Sequence, residues 1–111
     1  MKKLFTNYNF QFDKNEKKLL TTFCRQTLKQ IEGENKYFAE TRAFNSIISK
    51  LSGIEETIKF TKDERTRLQH QLEENIKYLK NQTKKSWFLK KWLYKSMLNQ
   101  YENILSVHFK D

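Results

Sequence analysis

A chain of 111 residues with 37% hydrophobic and 14% aromatic residues is long enough for one domain with its own core, and too apolar to be read as disordered. It holds no Pro and only Gly33 and Gly53, so a β-rich fold, which needs frequent turn residues, is excluded and long helices are favoured. The formal charge of +9 points to an anionic partner, although the preference for Lys over Arg and the many Asn also fit an AT-rich coding sequence.

Residues 1–12 alternate with a period of two. Leu4, Thr6, Tyr8, Phe10 and Phe12 share one side of an extended segment. With no second strand evident, this segment is expected to be an arm laid over the helices, or a strand paired with its copy in a dimer. Asp13 with Glu16 three residues later is close to a capping box and opens a helix over 13–32. Leu19, Leu20, Phe23, Thr27, Leu28 and Ile31 line one side of it, and Gly33 is its C′ residue. Cys24, at the edge of that apolar side, is expected to be a small core residue. As the one cysteine, it leaves no intramolecular disulfide.

A second helix is predicted over 35–59. At 100° per residue Tyr37, Phe44, Ile47, Ile48, Leu51, Ile54 and Ile58 form one stripe, and its phase does not change across Gly53. Gly53 is therefore read as an interior glycine, costing about 1 kcal/mol relative to Ala. The competing break at Ser52-Gly53 would leave Ile54 and Ile58 in phase by coincidence. Thr61 and Glu64 then form a capping box for a third helix over 61–82, with Leu68, Leu72, Ile76 and Leu79 on its narrow apolar stripe. Asp63–Arg67 and Glu73–Lys77 are spaced as solvent-side i,i+4 pairs.

A fourth helix is predicted over 86–108, with Leu93, Met97, Tyr101 and Ile104 inward. The intervening segment 80–86 is polar but carries neither Gly nor Pro. Its phase also permits one helix over 61–108, roughly 70 Å long. The expected fold is thus all-α: an antiparallel bundle of three to four helices with an extended N-terminal arm, the last two helices either separate or continuous.

The composition offers little to chemistry. His70 and His108 stand far apart with no Glu-x-x-His spacing, there is no second Cys for a zinc or redox motif, and no glycine-rich phosphate loop. The adjacent carboxylates Glu55-Glu56, Asp63-Glu64 and Glu73-Glu74 diverge by 100° on a helix and read as solvated charge. The expectation is a non-enzymatic protein without cofactor or metal. No apolar run approaches the roughly 20 residues of a membrane span, and polar residues interrupt the start that would otherwise resemble a signal peptide. The cytoplasm is the expected address.

One stretch stands apart. Residues 75–101 hold Lys77, Lys80, Lys84, Lys85, Lys90, Lys91 and Lys95 and no acid. Phe88 and Trp92 project among them, away from the inward stripe. The candidate surface for an anionic partner is Lys84, Lys85, Phe88, Lys91, Trp92, Lys95 and Asn99. If the two aromatics are core, the lysines are only a solvated rim; if Trp92 is exposed, they belong to a site. The leading expectation is a self-associating or protein-binding module. The alternatives are a sequence-nonspecific nucleic-acid binder and peripheral attachment to an anionic membrane.

Overall fold

The computed structural model describes residues 8–85 and 88–109, with side chains outside the description at Phe88 and Leu89. It is an all-α, helical-bundle-like fold. In chain order come strand β1 (Asn9–Phe10), helix α1 (Lys14–Ile31), a 3-10 turn (Asn35–Tyr37), α2 (Phe38–Leu51), β2 (Ile58–Lys59), α3 (Lys62–Lys85) and α4 (Phe88–His108). The chain divides into two compact units, Met1–Leu68 and Gln69–Asp111, whose boundary falls inside α3.

In the first unit local chemistry sets the helix ends. Asp13 accepts from the Glu16 N–H at 2.8 Å while the Glu16 carboxylate accepts from the Asp13 N–H at 2.9 Å, which closes the capping box of α1. Gly33 follows the helix in the left-handed region, at φ 82°. α1 packs on α2 and buries Leu20, Phe23, Cys24 and Thr27; the Thr27 hydroxyl is satisfied by donating to the Phe23 carbonyl. α2 contributes Ala43, Phe44, Ile47 and Leu51.

Two expectations change here. The helix expected over 35–59 stops at Leu51, where the Ser52 N–H donates to Ile48 and the Gly53 N–H to Lys50. Gly53 is thus not an interior glycine. Ile54 is 97% exposed, and Ile58 is buried as a strand residue. The shared phase of Ile54 and Ile58 with α2 is a coincidence of spacing. Ending α2 early removes a helical glycine and frees the next residues for a ladder.

That ladder is the second change, because the arm finds its partner within the chain. Asn9 pairs with Lys59 and Phe10 with Ile58, antiparallel, and the Phe60 N–H donates to the Tyr8 carbonyl at 3.0 Å. The period-two pattern then places Phe10 and Phe12 inward, while Gln11 points out and donates to Thr57. Phe10 stacks on Phe12 with centroids 5.4 Å apart, and Phe60 lies tilted against both at 5.2 and 6.4 Å. Three aromatic rings close this clasp. Leu4 and Thr6, expected on the same side, lie outside the described residues.

α3 starts at the expected capping box: the Glu64 N–H donates to the Thr61 hydroxyl and the Thr61 N–H to the Glu64 carboxylate. It runs to Lys85, past the expected end at 82. Its buried stripe continues through Leu68, Leu72, Ile76, Leu79 and Thr83, with the Thr83 hydroxyl donating to the Leu79 carbonyl. Lys77 pairs with Glu74 one turn back, not with Glu73.

In the second unit α3 and α4 pack on each other as a hairpin. Lys80 lies 3.5 Å from Glu102; in one straight helix they would stand about 33 Å apart. The continuous helix over 61–108 therefore does not form. Residues 86–87, where the fourth helix was expected to begin, lie outside the described residues.

Candidate partner-binding surface

The inward stripe of α4 is only half realised. Tyr101 and Ile104 are buried, and Phe109 just beyond the helix is too. Leu93, assigned to the same stripe from its phase, is 51% exposed, and Met97 is half-buried. Among the described side chains from Lys90 to Gln100, none is buried. The physical reason lies in α3. After Leu79 it offers Lys80, Asn81, Gln82, Thr83, Lys84 and Lys85, so no apolar side chain is left to cover the start of α4.

Trp92 is 74% exposed, the largest exposed side chain among the described residues of the hairpin. Lys91 beside it is half-buried, and Lys95 one turn on is exposed. On a helix these three share one side, with Leu93 on the adjoining side and exposed Lys90 close by. Lys84 and Lys85 are exposed in the last turn of α3, where the helix dipole favours cations. No such support exists at the start of α4. Its first turn holds no acid, and Lys90 and Lys91 stand near the positive end of the dipole. The helix would be more stable without them.

Not all the expected residues share one environment. Asn99 is exposed but lines an open groove of about 900 Å³ between α3 and α4, among Lys77, Lys80 and Glu102 and over Ile76, Leu105 and Phe109. Its surroundings are of mixed charge. Lys77 and Lys80 are likewise engaged by Glu74 and Glu102. Among the described residues no acid pairs with Lys84, Lys85, Lys90, Lys91 or Lys95. Of the expected surface, Lys84, Lys85, Lys91, Lys95 and Trp92 share this character, Lys90 and Leu93 join them, and the side chain of Phe88 lies outside the described residues. Leu93 was missed because helical phase alone cannot tell a covered stripe from an uncovered one.

The most concentrated polar cluster lies elsewhere, in the first unit. The Glu64 carboxylate is buried and accepts from Lys50 at 2.6 Å, from the Ser46 hydroxyl and from the Thr61 N–H. Burial alone would raise its pKa. The hydrogen bonds from Lys50, Ser46 and the Thr61 backbone outweigh that and hold it below the usual carboxylate value. A serine beside a carboxylate could suggest a nucleophile and its base. Here the carboxylate is ionised by design of its surroundings and occupied by three donors, so it is a poor proton acceptor and a good staple between α2 and the start of α3. Arg67 makes a second staple: Asp63 and Glu40 both hold its guanidinium and raise its pKa. Burial pushes the Cys24 thiol up to about 12, so it stays protonated and unreactive in the folded chain.

Among the described residues no three His, Cys, Asp or Glu side chains stand close enough to hold a metal ion, and no helix is long and apolar enough to cross a membrane. Comparison with known proteins gives no match, whether to a family model, a curated protein or a solved structure.

Proposed function

We propose that this chain is a non-enzymatic interaction protein that docks an acidic protein surface on the end of its α3–α4 hairpin. The observation that carries this reading is the 74% exposure of Trp92 among lysines with which, among the described residues, no acid pairs. An exposed indole with a neighbouring exposed leucine supplies the apolar anchor of an interface, and the lysines supply attraction and orientation.

The distribution of apolar residues favours a protein over a flat membrane. Trp92, Leu93, Tyr94, Met97 and Leu98 point to several sides of α4, whereas an interfacial helix needs one apolar side and one polar side. A helix apolar on several sides is best satisfied by a partner that encloses it. Nucleic acid is the second reading, favoured by the same exposed indole, since base stacking on an aromatic contributes about 1–3 kcal/mol per base. Lys in place of Arg suits phosphate contact without bidentate base readout.

The test uses Trp92 emission in a Trp87→Phe background, titrated with polyglutamate, a single-stranded oligonucleotide and phosphatidylserine vesicles. A blue shift with polyglutamate that salt reverses, and that Lys91→Glu with Lys95→Glu abolishes, is the expected result. A response to the oligonucleotide alone would select the second reading. If no probe responds and the chain makes no other contact sensitive to these lysines, the surface has no such role.

A further inference from the structure

The loop between α2 and β2 presents a chemical counterpart to this surface. Ile54 is 97% exposed, and Glu55 and Glu56 beside it are exposed as well. A single exposed apolar residue is ordinary. This one sits on an anchored loop. Ser52 and Gly53 hydrogen-bond back to α2, the Lys17 ammonium donates to the Glu55 carbonyl at 3.0 Å, and Gln11 donates to Thr57 at 3.2 Å. Held at both ends, the loop loses little freedom when it docks, so more of its contact energy appears as affinity.

Resting on the surface proposed above, we infer that its partner is a second copy of this chain: the Ile54-Glu55-Glu56 loop of one copy docks on Trp92 and Leu93 of another. Ile54 covers the two apolar side chains, and the two carboxylates meet Lys91 and Lys95. Charge complementarity selects this arrangement over a symmetric contact through α4, which would set unneutralised lysines against lysines. The loop and the surface are different parts of the chain, so the contact is made twice in a closed two-fold dimer or repeats head-to-tail as a ring or an open chain, and the sedimentation pattern of the wild type tells these apart.

Sedimentation velocity on the full chain tests this by complementation. Wild type is expected to self-associate with concentration, less so at high salt. Ile54→Lys disables the loop, and Lys91→Glu with Lys95→Glu disables the surface; each variant alone is expected to associate about tenfold more weakly or not at all. An equimolar mixture of the two retains one intact loop and one intact surface, so it should form a dimer and stop there. Ile54 and Lys95 are exposed and Lys91 is half-buried, and circular dichroism checks that the variants fold. Self-association that the lysine variant loses and Ile54→Lys keeps would overturn the loop as occupant while leaving the surface standing. A wild type that stays monomeric overturns the inference. Lysine-dependent binding of polyglutamate or the oligonucleotide would then still uphold the surface, and failure of every probe would remove both.

Discussion

The aromatic clasp of the first unit and the hairpin end of the second start from similar material, large apolar side chains among many lysines, and end differently. At the clasp Phe10, Phe12 and Phe60 bury one another because a ladder brings the arm to residues 58–59. At the hairpin end Trp92 stays mostly exposed and Leu93 half exposed, because the facing helix has become polar. Charge follows the same division. Glu64 is held by Lys50 of α2 and Arg67 by Glu40 of α2 together with Asp63 of its own helix, whereas among the described residues no acid pairs with Lys84, Lys85, Lys90, Lys91 or Lys95. An apolar pattern stabilises a fold only where a complement arrives; where none does, the same residues form a surface able to take a partner.

The comparison can be broken most directly at the clasp. Phe60 is 1% exposed, and Phe60→Ala should cost about 3–5 kcal/mol, read as a lower urea midpoint. A loss below 1 kcal/mol would mean that the clasp adds little to folding. Glu64→Gln comes next, at about 2–3 kcal/mol, because it removes the charge that Lys50, Ser46 and Thr61 share. Its pH dependence has a definite sign. The folded pKa lies below the unfolded value of about 4.3, so the Glu64 contribution is complete above that pH and is lost as pH falls through the lower folded value. Acid unfolding of Glu64→Gln should accordingly be shallower than that of wild type between pH values near 5 and the acid limit.

Gly33→Ala should cost about 1–2 kcal/mol, since a Cβ there meets open space and the penalty is the left-handed φ alone. Smallest of all, Trp92→Ala should change stability by no more than about 0.5 kcal/mol, while reducing any binding at the hairpin end. A large loss of stability from this variant would mean that the indole belongs to the fold and would erase the contrast with Phe60.

Most helix boundaries were legible without tertiary information. Asp13 with Glu16 and Thr61 with Glu64 complete their caps within four residues, and Gly33 needs only its own φ. The end of α2 was not legible, since Ile54 and Ile58 mimic a continuing stripe and only the arm reveals Ile58 as a strand residue. The candidate surface was legible as a run of lysines around Trp92. Its boundary was not: Leu93 joins it and Asn99 belongs to a groove of mixed charge.

What the amino-acid sequence determined by itself is the helical class, the capped starts of α1 and α3, the glycine stop after α1 and the concentration of lysines in 75–101. These depend on hydrogen bonds, dihedral preferences and charges set by near neighbours along the chain. Only the tertiary structure decided that the arm pairs with residues 58–59, that α3 and α4 turn back on each other, and that Trp92 and Leu93 remain uncovered. Burial and strand pairing are settled by what distant parts of the chain bring alongside, and helical phase carries no record of that.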